Sequence, residues 1–501
     1  MRTDYSIKNS ITSFISNIIN YIFLFIGQTL FIKILGIEYT GLNGLFSNIL
    51  YVLNFFELGI GSSITYNLYK YVKNNDTETI KSIMNFYKKA YNYIIAIIFI
   101  IGILLLPFLK FFIKEPNIDI NIYLSYFLFL LTTVSTYILS YKRNLIFVNQ
   151  KKYILNIIHI IYIIILNILQ ILVIYFTKNY YLYLIVKIIC NILENVYIAI
   201  KTNKMYSYIK QKNIKDLDEN VKTDIISRVK ALIVHKLATA LVLGTDNIII
   251  SSFLGLATVG LYTSYNYIIT AVKSLFGGII QSTSASVGNL LVEKNKEKNY
   301  KVFKKIFFLN YWIAVSTSVC LLLLIEPFIT LWLGKKYLLE TSVLVILIAG
   351  YFQTMMRNAF MVFKDSAGIW IEDKFVPLME SLINIIASII LLKFLGLKGV
   401  FIGTILSSLV LWCYSYPKYV YINLFNKKLK EYIIKAITHV ILFISILIIS
   451  FMINKYSNNI ITSGIISVII PNIILYLIYR STEEFKYYKK LIVKKTKIMT
   501  N

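Results

Sequence analysis

The chain has 501 residues, of which 57% are hydrophobic and only 15% are charged. So few charged side chains cannot cover the surface of a soluble protein of this length, so a soluble fold is excluded. The net charge of +28 would suit a nucleic-acid partner. The basic residues are concentrated in alternate loops, however, and this distribution argues against nucleic acid.

Apolar runs of about 20 residues recur along the chain, which is the length that a helix needs to cross the hydrocarbon core of a bilayer. The three cysteines lie far apart inside these runs, without the spacing of a metal site or a disulfide framework. We predict an all-α polytopic membrane protein with about fourteen transmembrane helices. The predicted spans are 11–35, 42–69, 87–113, 118–140, 153–176, 179–200, 230–254, 258–290, 303–325, 339–360, 375–396, 398–416, 433–453 and 461–479.

The loops between the predicted spans alternate in charge. Most of the 52 Lys and Arg residues fall on one side, in the N-terminus, in the loops after even-numbered helices and in the C-terminal tail. An excess of Lys and Arg marks cytoplasmic loops. We therefore expect the N- and C-termini to be both cytoplasmic.

The longest polar interruption, 201–229, is basic and predicts a cytoplasmic linker. It separates an N-terminal lobe, 1–200, which contains predicted helices 1–6, from a C-terminal lobe, 230–416, which contains helices 7–12. Residues 417–501 add helices 13 and 14 and a basic cytoplasmic tail.

A short internal match supports two similar lobes. The pattern Leu-Gly, four residues, Gly-Leu occurs twice. It lies at 35–42 between predicted helices 1 and 2 and at 254–261 between helices 7 and 8. Glycine at these points allows backbone angles that a tight outer hairpin needs. Parallel repeats of this kind are common in transporters, although eight residues rich in Leu and Gly can also match by chance.

Polar side chains share one face of the sixth predicted helix. Lys187, Asn191 and Glu194 are spaced i, i+4 and i+7, which places them on a single side of a helix. A charge at mid-bilayer costs roughly 2.5–3.5 kcal/mol, so we expect the two charged groups to face a water-filled space. The alternative is that amides bind neighbouring helices and that lysines extend to the headgroups.

The second, seventh and eighth predicted helices carry further candidates. Lysines on three helices would give a cavity a preference for anions, and some of the tyrosine rings would stack on sugar rings. The predicted substrate-binding residues are Lys187, Lys273, Lys236, Asn191, Asn266 and Tyr262. The candidates for ion coupling are Glu57, Glu194 and Asp246, since a buried carboxylate can bind a proton or a cation. His159 and His439 are interpreted as packed or interfacial side chains rather than proton carriers.

Motifs of catalysis and of ATP hydrolysis do not occur in the sequence. We find no P-loop, no Cys/His cluster and no nucleophile elbow with its partners. We therefore predict a secondary transporter without a cofactor rather than an enzyme, and H⁺ or Na⁺ is the hypothetical coupling ion.

Several blocks of the sequence resemble one family. They are FIKILGIEYTGLNGLFSNIL at 31–50, ELGIGSSI at 57–64, YNLYK at 66–70, TDNIIISSFLG at 245–255, VGLY at 259–262 and DKFVP at 373–377. Together they are similar to the Wzx-type polysaccharide flippases of the multidrug/oligosaccharidyl-lipid/polysaccharide exporter superfamily.

The resemblance implies two six-helix bundles arranged in a V, with a C-terminal helix pair. It also implies transport of oligosaccharide repeat units on undecaprenyl pyrophosphate from the cytoplasmic to the outer leaflet of the bacterial plasma (inner) membrane, by alternating access. The expected partners are this lipid-linked oligosaccharide and membrane lipids, and the polymerase and chain-length proteins of the same pathway are candidates. Alternative functions are export of cationic drugs and flipping of the peptidoglycan lipid precursor. A membrane glycosyltransferase or polymerase, and a scaffold, are less compatible with short outer loops and charged spans.

Overall fold

The computed structural model describes residues 2–114, 118–211, 214–293, 295–369, 372–457 and 459–499. All regular secondary structure in these ranges is helical, which confirms the predicted all-α class. The chain forms two compact units, Met1–Gly260 and Leu261–Asn501.

The first unit consists of ten helices among its described residues. They are α1 (Arg2–Leu35), α2 (Ile37–Leu53), α3 (Phe55–Lys73), α4 (Thr77–Leu104), α5 (Leu109–Phe112), α6 (Ile122–Tyr137), α7 (Arg143–Val148), α8 (Lys152–Thr177), α9 (Tyr180–Met205) and α10 (Glu219–Leu254). Its core lies where α2, α3, α4, α6 and α7 meet, around fully buried side chains such as Leu45, Phe46 and Leu130.

The next helix, α11 (Leu256–Gln281), begins at the end of the first unit and continues into the second. The second unit then contains α12 (Ser284–Val292), α13 (Lys296–Trp332), α14 (Thr341–Ser366), α15 (Val376–Leu395), α16 (Leu397–Val410), α17 (Leu429–Asn454), α18 (Ile460–Tyr479) and α19 (Glu483–Met499). A π-helical segment, Leu411–Leu424, continues α16. Aromatic side chains, among them Phe303, Phe360 and Phe363, form the core between α13, α14 and this segment.

Thirteen helical segments of the described chain are long and apolar enough to cross a membrane. The sequence predicted about fourteen, and the difference is the second predicted span, 42–69. This run is divided at Asn54 into α2 and α3. The Asn54 carbonyl accepts the Glu57 amide at 3.0 Å, which is a three-residue turn within an otherwise α-helical stretch.

The stretch between α9 and α10, inside the predicted linker, contacts α4 of the first unit. Its middle is held by Lys81, which donates to Gln211 at 2.7 Å, and by Ser82, which donates to the Lys215 carbonyl at 2.7 Å. The seventh predicted helix, inside α10, lies within the first compact unit. The division into six-helix lobes at 201–229 stays a prediction.

A polar contact between α3 and α10 supports this arrangement. Arg228 donates to the Asp224 carboxylate at 2.8 Å and Asn67 donates to it at 3.0 Å. These hydrogen bonds favour the charged carboxylate and hold the pKa of Asp224 below its usual value.

The internal repeat of the sequence corresponds to a reciprocal contact in the structure. A Cβ on Gly41 would overlap the carbonyl of Leu256, and a Cβ on Gly260 would overlap the carbonyl of Ile37. The sequence offset between Gly41 and Gly260 equals that between Ile37 and Leu256, so the two contacts are equivalent. The starts of α2 and α11 therefore cross in a symmetric manner. Only glycine permits so close an approach of two backbones.

Candidate functional site

A polar cavity of about 480 Å³ lies within the first unit. Its walls come from α3, α4, α6, α7, α8 and α9, near the middle of several membrane-spanning helices. Among the described residues that line it are four tyrosines, three asparagines, two carboxylates, one arginine and one histidine. Such a concentration of hydrogen-bonding groups inside a membrane span is typical of a substrate pathway.

One wall of the cavity is an interrupted helix. α6 ends at Tyr137, Leu139 has a φ of 60°, and α7 begins at Arg143 after a short 3₁₀ turn. A left-handed conformation costs a non-glycine residue about 1–2 kcal/mol. Irregular backbone at membrane depth is tolerated where neighbouring side chains bind the freed carbonyls or where it lines a cavity.

Two asparagines of α9 bind carbonyls of α6, and Asn195 binds those that this interruption frees. Asn191 donates to the Thr132 carbonyl at 3.1 Å, and Asn195 donates to the carbonyls of Ser135 and Thr136 at 3.0 and 3.1 Å. Asn191 is 4% exposed and Asn195 is 1% exposed. The end of α6 is therefore capped by the Asn195 amide from a neighbouring helix.

The interruption turns Arg143 into the cavity. Its guanidinium donates to Glu194 Oε2 at 2.8 Å and to Asn195 Oδ1 at 2.7 and 3.2 Å. The second oxygen of Glu194 lies 2.9 Å from His159 Nδ1. Because Glu194 has two nitrogen partners, its buried carboxylate is electrostatically compensated.

The opposite wall carries Glu57, which has no basic partner among the described residues. Its carboxylate accepts the Tyr91 hydroxyl at 2.7 Å. Tyr91 in turn accepts the hydroxyl of Tyr87 at 3.4 Å, and Tyr87 accepts the amide of Asn144. A chain of hydrogen bonds therefore connects α3 through α4 to α7.

The charges of this cavity differ from those that the sequence suggested. Its formal charges are two carboxylates, Glu57 and Glu194, against the single guanidinium of Arg143, with His159 beside them. Lys187 does not line it, and its ammonium instead lies 5.6 Å from the centre of the Phe129 ring. Of the predicted stripe on α9, only Asn191 and Glu194 face this cavity.

The remaining predicted site residues lie elsewhere. In the second unit, Tyr262 packs against Phe401 with ring centres 4.8 Å apart, and Asn266 accepts the hydroxyl of Thr270 at 3.3 Å. Asp246 is half-buried on α10 and does not line the cavity. The side chain of Lys236 lies outside the described residues.

Lys273 is half-buried on α11, within electrostatic range of Arg357. Arg357 donates to Glu380 at 3.0 Å and to the Tyr416 hydroxyl at 3.2 Å. Tyr416 belongs to the π-helical segment. The second unit therefore has its own half-buried arginine, paired with a buried carboxylate beside an irregular helix, and π-helical turns are frequent at functional sites.

Sequence reasoning missed Arg143, His159, Arg357 and Glu380. Arg143 was assigned to a loop because the predicted span ended at 140, whereas the membrane-spanning segment continues to Val148. His159 was interpreted as packed or interfacial, and its contact with Glu194 joins two helices that have no common sequence motif. The sequence offered one signal for Arg143, which is the Arg143-Asn144 pair close after the apolar run 118–140.

Comparison with known proteins gives a family and a fold. Residues 6–284 match the family described as Polysaccharide biosynthesis protein. No curated protein matches the chain.

Several solved structures share the fold. A structure described as Lipid II flippase MurJ, inward closed conformation, is 17% identical and covers 97% of this chain and 100% of its own, with a TM-score of 0.63. An inward-facing multidrug resistance MATE family transporter of the MOP superfamily is 14% identical and covers 78% of this chain and 91% of its own, with a TM-score of 0.59. The MATE transporter VcmN of Vibrio cholerae is 14% identical and covers 85% and 99%, with a TM-score of 0.58.

At these identities the structures show the fold alone, and that fold is the one of the MOP superfamily. The family match covers more than half of the chain. This multi-pass membrane protein therefore belongs to the polysaccharide biosynthesis protein family, the Wzx-type flippase family that its sequence motifs predicted.

Proposed function

We propose that this protein flips lipid-linked oligosaccharide repeat units across the bacterial plasma membrane for surface polysaccharide biosynthesis. The substrate would be a glycan on undecaprenyl pyrophosphate, moved from the cytoplasmic to the outer leaflet by alternating exposure of a polar cavity. Both termini would lie in the cytoplasm, as the distribution of basic loops predicts. Family membership supports the reaction class.

The observation that carries this proposal is the chemistry of the cavity wall. Amides, tyrosine hydroxyls, two carboxylates and a guanidinium surround about 480 Å³ within membrane-spanning helices. A glycan presents many hydroxyl groups and flat apolar ring faces, which these donors, acceptors and aromatic rings complement. An apolar substrate could make no hydrogen bonds with these groups, whereas the hydroxyl groups of a glycan can.

Leaflet-resolved quantification of undecaprenyl-linked glycans in cells with and without the protein tests this function. We expect complete repeat units to accumulate on the cytoplasmic leaflet when the protein is absent and to disappear after re-expression. Accumulation of unpolymerised units on the outer leaflet would instead identify a polymerase defect. Unchanged glycans in both leaflets would refute the proposal.

Glu57 favours a second candidate function, export of cationic compounds. This carboxylate faces the cavity without a basic partner among the described residues, close to Tyr91 and Tyr87. Carboxylates and aromatic rings together bind organic cations well. Lower resistance to cationic drugs in cells that lack the protein, with normal surface glycans, would favour this alternative.

Glu57 is also our candidate for ion coupling. A carboxylate that faces a cavity without a basic partner is neutralised when it binds H⁺ or Na⁺, and this exchange can be linked to a change of conformation. Transport into vesicles under imposed H⁺ or Na⁺ gradients tests the coupling. Transport that responds to neither gradient would exclude it.

A further inference from the structure

A second depression, of about 570 Å³, lies between α8 and α9 of the first unit. It differs from the polar cavity because most of its lining is aliphatic. We call it the α8–α9 groove and define it by Ile154, Ile157, Ile161 and Ile165 on α8 and Leu193, Tyr197 and Lys201 on α9.

The groove is a continuous strip along two antiparallel helices. Its α8 side chains recur every three or four residues, which keeps them on one side of the helix. From Ile154 to Ile165 the strip extends about 17 Å along the axis at 1.5 Å per residue. Ile161 is 53% exposed and Leu193 is 61% exposed, so the strip is open to the surroundings of the first unit.

The groove and the polar cavity share a wall. Tyr162 and Glu194 line both of them. On the cavity side Glu194 binds Arg143, and the Tyr162 hydroxyl donates to Asn191 at 2.5 Å. The apolar strip therefore meets the polar cavity at about half the length of α8 and α9, well away from the helix ends.

A ligand that uses both spaces must be an amphiphile whose polar head lies inside the membrane span. An ordinary phospholipid keeps its headgroup at the membrane surface and cannot place it beside Glu194 without burying charge in the hydrocarbon layer. A lipid-linked saccharide needs this arrangement during transport, because its head crosses the bilayer while its hydrocarbon chain stays in the apolar region.

We propose that the α8–α9 groove binds the branched hydrocarbon chain of the lipid-linked saccharide, while the adjoining cavity binds its sugar head. This assignment rests on the proposed function and adds the position of the lipid chain. Since lipid is as apolar as the groove, the gain comes from close packing of methyl branches against isoleucine side chains. Overfilling the groove should therefore weaken binding without removing any polar contact.

Photocrosslinking of the full-length protein in nanodiscs tests the assignment. One probe is a polyprenyl diphosphate disaccharide with a diazirine on its chain, and the second is a diazirine-bearing phosphatidylglycerol. We expect the polyprenyl probe to label peptides of α8 and α9 in excess of the phospholipid. Ile161→Trp should lower this labelling by roughly tenfold, as expected when a large ring overfills a fitted site.

Leu172→Trp is the matched control, because Leu172 lies on α8 beyond the groove and is 44% exposed. This control should leave labelling unchanged. If Ile161→Trp folds poorly, Leu193→Trp on the opposite wall of the groove replaces it and should lower labelling in the same way. Equal labelling by both probes, or labelling that the groove variants do not alter, would identify ordinary lipid there and overturn the assignment. Polyprenyl labelling at other helices would also overturn it, and the leaflet assay of the wild-type protein reports separately whether flipping occurs.

Discussion

Arg143 connects α7 to two side chains of α9 in the polar cavity. It joins Glu194 to Asn195, and Asn195 in turn binds the carbonyls at the end of α6. Lys187, the cation that the sequence favoured, lies over the Phe129 ring and outside the cavity. We therefore expect substitutions of Arg143 and of Lys187 to affect transport differently.

Replacing Arg143 with Gln should reduce flipping by at least about tenfold, because a hydrogen bond to a charged group contributes roughly 1.5–3 kcal/mol. Lys187→Gln in the same helix bundle is the matched control and should reduce it much less. Both variants are measured by the leaflet assay at equal protein levels in the membrane. A larger loss for Lys187→Gln would show that the lysine stripe, and not Arg143, contacts the substrate.

The two carboxylates of the cavity should respond differently to neutralisation. Glu57→Gln removes a group whose one described side-chain partner is Tyr91, so the melting temperature should change little while transport loses its response to an ion gradient. Glu194→Gln weakens contacts with Arg143 and His159 and should destabilise the protein by about 1.5–3 kcal/mol. Thermal unfolding in detergent and gradient-driven transport separate these effects, and an unchanged gradient response in Glu57→Gln would contradict the coupling role.

At the scale of helices, interruptions position the cavity residues. The division of α2 from α3 at Asn54 precedes Glu57 by one turn, and the division of α6 from α7 precedes Arg143. Hydropathy predicted the helices because it averages over about 20 residues. The same averaging cannot detect a single left-handed residue such as Leu139, so the sequence placed Arg143 in a loop.

Asn195 should be essential for the α6–α7 interruption. Asn195→Leu would leave the Ser135 and Thr136 carbonyls and the Arg143 guanidinium with fewer partners, at a cost of about 1–3 kcal/mol for each buried group. We expect a lower melting temperature and weaker transport. Asn203→Leu on the same helix is the control, because the Asn203 side chain accepts a hydrogen bond from Lys142 at the helix end. Equal stability of both variants would show that the interruption does not depend on Asn195.

The crossing of α2 and α11 depends on Gly41 and Gly260. A valine at either position would collide with a backbone carbonyl of the other helix, so we expect Gly41→Val and Gly260→Val each to abolish transport. Gly464→Val on α18 is the control, because a Cβ there meets no atom within 4 Å. Normal flipping by Gly41→Val would refute the close approach. A similar loss in Gly464→Val would point to general damage to the fold.

At the scale of the whole molecule, the sequence predicted the membrane class, the all-α fold and the family. It placed Asn191 and Glu194 on one helical face because periodicity is local information. It could not show that Glu194 meets Arg143 and His159, since that contact joins helices that are distant in sequence. Each compact unit also pairs a buried carboxylate with a half-buried arginine, Glu194 with Arg143 and Glu380 with Arg357.

The most direct test of the account is flipping by the purified full-length protein in liposomes. A lipid-linked oligosaccharide is incorporated in one leaflet, and a glycosidase added outside reports how much of it becomes accessible. We predict rapid exposure with the wild-type protein and at least about tenfold slower exposure with Arg143→Gln. Exposure no faster than in protein-free liposomes would contradict the proposal that this protein transports lipid-linked glycans.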